Sequence, residues 1–116
     1  MAMKTVRQPA VAGQFYPGNA ADLERSVESL LDQARGATAA HAGPPPKALI
    51  VPHAGYTYSG PPAARGSVLL EPVRSLIRRV VLLGPAHYVG FSGLAVSPAD
   101  AFATPLGAVP LDHAAT

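Results

Sequence analysis

The chain has 116 residues, a formal charge of +2 from nine Lys and Arg against seven Asp and Glu, 48% hydrophobic and 14% charged residues, and no cysteine. This balance suits one globular core, or a piece of one, and is too apolar for a disordered segment. It excludes a disulfide framework or a thiolate-rich zinc module within these residues, and basic residues scattered except at Arg78-Arg79 give nucleic-acid binding no support.

Met1 to Gln8 is polar and basic with no apolar core behind it, and no apolar stretch approaches the roughly 20 residues of a membrane span. A soluble, cytoplasmic protein without membrane contact is the expectation. An irregular segment, Arg7 to Pro17, is followed by a helix capped by Asn19, with Asp22 in an acidic first turn. Leu23, Val27, Leu30, Leu31 and Ala34 form its apolar stripe, and Gly36 is the predicted stop. Turn-formers and a proline triplet between Gly36 and Pro46 read as a surface connection in which His41 is solvated.

A strand is then predicted at Ala48 to Val51, followed by the loop HAGYTYSG and a helix from about Pro61 to Leu70, with Ser59 or Gly60 near its N-cap. Pro61 and Pro62 would fall in its first turn, where a missing N–H costs least. Glu71-Pro72 stops it, and Arg79 to Leu83 is the next strand, so that a right-handed βαβ crossover would make the two strands parallel neighbours. Gly93 to Val96 and Ala103 to Val109 are weaker strand or loop candidates.

Both predicted strands end in the same kind of event. One closes in Pro52-His53-Ala54-Gly55 and the other in Gly84-Pro85-Ala86-His87. Ligands of open α/β sheets bind outside the carboxyl ends of strands, so two imidazoles on one sheet edge would converge on one metal ion. Taken singly, each histidine is more often a hydrogen-bonded structural residue, and His113 carries no mark beyond surface. All four tyrosines, Tyr16, Tyr56, Tyr58 and Tyr88, lie beside these segments, either as hydroxyls at the mouth of a cleft or as packed rings with an exposed tip. The Gly55 to Gly60 loop lacks the lysine and spacing of a phosphate cradle. Asp100 and Asp112 have no spacing that identifies a ligand.

Four motifs in order, PAVAGQFYPG, VPHAGYTYSG, LLGPAHYVGFSG and FATPLGAVPLD, resemble the amino-terminal part of the Memo family, including the bacterial AmmeMemoRadiSam system protein B members. The resemblance covers Arg7 to about His113. It implies an α/β fold with a central mixed sheet flanked by helices, similar to LigB-type class III extradiol dioxygenases. It makes residues 1–116 the amino-terminal portion of a single Memo-like domain, an incomplete one. It also implies that His53 and His87 are metal-site positions, with a third position, a cysteine in the animal proteins, beyond Thr116.

Two function classes follow from the resemblance. In one, the chain is part of a metal-binding, redox-active non-haem protein of undetermined substrate, holding a divalent ion, iron first and copper or zinc as alternatives. In the other, the cleft is a non-catalytic module for a peptide or partner, with AMMECR1-type and radical-SAM proteins as candidate partners. An incomplete sheet would in addition favour self-association.

Overall fold

The computed structural model describes residues 4–38 and 43–116; His41 lies outside them. Helix α1 spans Ala20–Thr38 and starts as its sequence dictates. Asn19 Oδ1 accepts the Asp22 N–H at 2.9 Å, and its amide donates to the Asp22 carboxylate. Asn19→Ala should therefore lower stability by about 1 kcal/mol, a shift read from the urea midpoint at unchanged slope. The predicted stripe faces inward: Leu23 and Ala34 are buried and Val27, Leu30 and Leu31 half-buried. Gly36 does not stop the helix, because it has no positive φ with which to form a left-handed cap.

Helix α2 spans Tyr56–Ser67 and begins five residues before its predicted start. Gly55 is the N-cap and gives no side-chain bond; Ser59 sits one turn inside, buried, and its Oγ accepts the Ala54 N–H at 2.8 Å. Pro61 and Pro62 thus lie in the second turn, a correction to the first-turn reading. Such prolines forfeit intrahelical bonds, and close packing offsets the loss. A Cβ on Gly60 would lie 3.0 Å from Leu30 Cδ1, so this glycine lets α2 approach α1. Ala64 and Val68 complete the buried contact with Ala34, with Leu30 and Leu31 against it.

A 3₁₀ segment, Val68–Val73, extends α2 through Glu71-Pro72. It is tied to α1 by Arg35, whose Nε donates to both Glu71 carboxylate oxygens at 3.1 Å and whose Nη2 donates to Oε1 at 2.7 Å. The hydrogen bonds from Arg35 hold the Glu71 carboxyl below its usual range. A lowered folded-state value means that this link contributes above the ordinary carboxylate range, roughly pH 4.3, and is lost as pH falls through the folded value. Glu71→Gln should accordingly lower the thermal midpoint at pH 7 and leave it equal to the unaltered chain's at the acid end. The loss should shrink with added salt, since both side chains are solvent-accessible.

The sheet is mixed and three-stranded, in the order β1 (Val6–Arg7), β2 (Ala101–Thr104), β3 (Gly107–Pro110). β1 pairs parallel to β2 in the register Val6 to Ala101, and β2 and β3 form a hairpin. Thr104 shapes its turn: Oγ1 donates to the Gly107 carbonyl at 2.8 Å and accepts the Leu106 N–H at 3.1 Å, while Gly107 takes φ +131°. Asp100 fastens the edge, because its Oδ2 accepts the Thr5 N–H at 2.7 Å and its own N–H donates to the Thr5 carbonyl at 2.8 Å.

The expected mixed α/β class is present, but its strands are not the predicted ones. Residues 48–51 and 79–83 belong to no ladder among the described residues, and neither does Gly93 to Val96. A strand exists only through a paired neighbour, and these runs have none here. The first packs instead on α2, where Leu49 and Val51 approach Gly66 while Ile50 between them is fully exposed. Val80 to Leu83 is 74–86% exposed along its length. Among the described residues, α1 packs chiefly on α2 and the 3₁₀ segment rather than on the sheet.

Candidate functional site

The loop Pro52 to Gly55 is held at its carboxyl end by two hydrogen bonds. Ser59 Oγ takes the Ala54 N–H, and the Tyr56 N–H donates to the Phe15 carbonyl at 2.8 Å, which ties the loop to the amino-terminal segment. That segment is itself a folded turn: Gly13 has φ +82° and its N–H donates to the Tyr16 carbonyl at 2.8 Å, with Phe15 N–H on the Val11 carbonyl at 2.9 Å. His53 thus projects from a braced loop. His87 comes from the loop after the second apolar run, and both residues are exposed.

The two imidazoles meet. His53 Nε2 and His87 Nε2 are 3.2 Å apart across 34 residues of sequence, with ring centroids at 5.4 Å and planes tilted by 38°. The predicted convergence is present, although paired strands do not produce it. Nitrogens bound to one tetrahedral ion at roughly 2.0–2.1 Å lie ~3.3–3.4 Å apart, so the pair already has the span of two ligands. The same separation accommodates an N–H···N hydrogen bond when one ring carries its hydrogen on Nε2. No third His, Cys, Asp or Glu joins them among the described residues.

The other acidic and imidazole candidates are engaged elsewhere. Asp100 anchors β1, Asp112 accepts from Arg79 Nε at 2.7 Å, and His113 Nε2 donates to the Ala99 carbonyl at 2.7 Å. The three predicted cleft tyrosines part company. Tyr58 and Tyr88 are 82% and 99% exposed, and only the Tyr88 ring keeps an edge contact with His87, at 6.4 Å. Tyr56 turns inward, where its ring lies 5.7 Å from that of Tyr16.

These two rings, with His53, Phe15 and Ser59, border a cavity of about 270 Å3 beside the histidine pair. Burial, then the neighbouring Tyr16, raises Tyr56 above the ordinary tyrosine range. Sequence reasoning placed Tyr16 and Phe15 in an irregular lead-in. Their signal was the glycine-punctuated PAVAGQFYPG motif, whose backbone turn delivers both rings to the cavity.

A family model described as Memo-like protein matches residues 7–116. Protein MEMO1 of Danio rerio is 40% identical over 107 residues, covering 92% of this chain and 34% of that protein. The memo-1 homolog of Caenorhabditis elegans is 39% identical over 109 residues, covering 92% and 29% respectively. Protein MEMO1 of Homo sapiens is 36% identical over 107 residues, covering 92% and 34%. The chain therefore spans about a third of the length of these curated relatives. No solved structure matches it.

Proposed function

We propose that this chain, which belongs to the Memo-like family, contributes two neutral imidazoles, those of His53 and His87, to a divalent metal centre in a redox-capable protein. The observation that carries the reading is the 3.2 Å approach of the two Nε2 atoms from loops 34 residues apart in sequence. Two nitrogen donors suit iron, copper and zinc alike; iron is preferred on the reading that an anionic third ligand comes from outside these residues, which would complete the two-histidine, one-anion face of non-haem redox sites. Bound there, the ion would supply Lewis acidity and electron transfer. The chain's own part is to hold the rings, through the braced loop of His53, and to border them with the Tyr56 phenol.

In this reading residues 1–116 correspond to the amino-terminal portion of a Memo-like domain with a LigB-like α/β fold. The share of the relatives' length that it spans and the exposed run Val80 to Leu83 support that placement. The alternative, a partner-binding face, rests on the exposed rings of Tyr58 and Tyr88. No helix among the described residues is long and apolar enough to cross a membrane.

Titration of the metal-free chain with Co(II), followed by visible absorption and calorimetry, tests the proposal. Saturation at one ion per chain, or one per two chains, supports it. A spectrum that stays that of hexaaqua Co(II), with no saturable heat at millimolar metal, overturns it and leaves the partner-binding reading.

A further inference from the structure

The chain presents far more surface than a folded protein of its size. Its accessible area is 9340 Å2, where a compact monomer of 11.9 kDa exposes roughly 6,000 Å2. The radius of gyration, 15.8 Å, likewise exceeds the roughly 13 Å of a compact chain of this length. The excess of roughly 3,300 Å2 is several times the ~800 Å2 that each partner contributes to a standard protein interface, so ample surface is left for another chain to cover.

One segment concentrates the features of an adhesive edge. Val80, Val81, Leu82 and Leu83 lie in a stretch without helix, turn or bend and are exposed along their length. Among the described residues, no backbone N–H or carbonyl from Arg78 to Leu83 takes part in a hydrogen bond. An apolar run with unpaired backbone groups is a template for a second strand. The usual protections are missing, since neither a charge nor a proline interrupts it before Gly84-Pro85. The segment around Ile50 differs: Pro46 and Pro52 flank it, and Leu49 and Val51 pack on α2.

The flanking charges select the direction of the partner. A parallel, in-register copy would set Arg78 and Arg79 directly against themselves, a like-charge pairing that destabilises. An antiparallel copy related by a two-fold axis at Val81 sets Val81 on Val81, Val80 on the partner's Leu82, Arg79 on the partner's Leu83 and Arg78 on the partner's Gly84. No guanidinium then faces another, and Arg79 keeps its ion pair with Asp112 at 2.7 Å. We infer that residues 79–83 are a dimerisation strand, which pairs antiparallel with the same residues of a second copy about Val81. The contact goes beyond the proposed function and is independent of it, because antiparallel pairing carries the two His87 loops to opposite ends of the ribbon. Five paired residues a side are fewer than the roughly 20–30 of a standard interface, so the association is weak and is read at high protein concentration rather than in a dilute denaturation series.

The chain has no cysteine, so a single introduced one reports the register. Facing residues of an antiparallel pair have Cα atoms roughly 4.5–5.5 Å apart, within the roughly 4.4–6.8 Å that a disulfide spans. Metal-free Val81→Cys, mildly oxidised at high concentration, should convert to a covalent dimer. Ile50→Cys, more exposed still but outside the strand, should stay monomeric. Sedimentation velocity of the unaltered chain should show a dimer that grows with concentration. Val81→Lys, which sets two ammonium groups face to face, should raise the dissociation constant about tenfold or more. Val81 is exposed, so neither substitution at it should disturb the fold, and thermal melts check this. An unaltered chain that stays monomeric throughout the series overturns the inference, as does cross-linking as fast through Ile50→Cys as through Val81→Cys. An association unmoved by Val81→Lys, or one that grows past the dimer by pairing without closure, overturns it equally.

Discussion

Replacing His53 or His87 with alanine is expected to lower affinity for a divalent ion by on the order of 100-fold or more, since disturbing an outer-shell partner of a ligand already costs 10–100-fold. The double variant should lose little further, because one remaining imidazole is an ordinary surface histidine. Thermal midpoints should hardly move. Both residues are exposed, and surface substitutions usually stay within about 0.5 kcal/mol. Competition titration against a chelating dye, beside thermal melts, separates the two quantities. A collapse of stability with unchanged metal affinity would identify the pair as a structural hydrogen bond.

The largest expected effect on stability lies in α1. Leu23 is 4% exposed, and its truncation to alanine should cost about 3 kcal/mol, within the 2–5 kcal/mol of buried large-to-small changes. Ile50→Ala and Leu82→Ala should each change stability by less than about 0.5 kcal/mol, although sequence alone ranks both as strand core. Ile50 is fully exposed and Leu82 86% exposed. Urea denaturation of the three variants checks this, and a cost at Leu82 equal to that at Leu23 would mean that the apolar run 80–83 is buried in solution, as by association between chains.

This contrast shows where the sequence was legible. Periodicity and capping chemistry act within one helix, so Asn19 and the stripe from Leu23 to Ala34 could be read directly. Strands depend on a partner that local pattern cannot supply. The β-branched runs before His53 and His87 looked like strands and remain unpaired, while Val6-Arg7, too short to register as a run, gains its place from the Asp100 clamp and a parallel neighbour 95 residues away. Ser59 was legible as a helix-start residue, but its hydroxyl reaches back to Ala54 from inside the helix. The histidine pair was readable from matched loop chemistry, and Tyr16 as one of four tyrosines beside the site; its pairing with Tyr56 was not, because its position is set by backbone turns around Gly13.

The central claim is that His53 and His87 act as one two-nitrogen ligand pair. Nitrogen-15 NMR of the imidazoles during Zn(II) titration tests it most directly. The Nε2 resonances of His53 and His87 should move together, saturating at the same zinc ratio, while His113, whose Nε2 is committed to the Ala99 carbonyl, stays fixed. Movement of only one of the pair, or saturation at two different ratios, would contradict a shared ion.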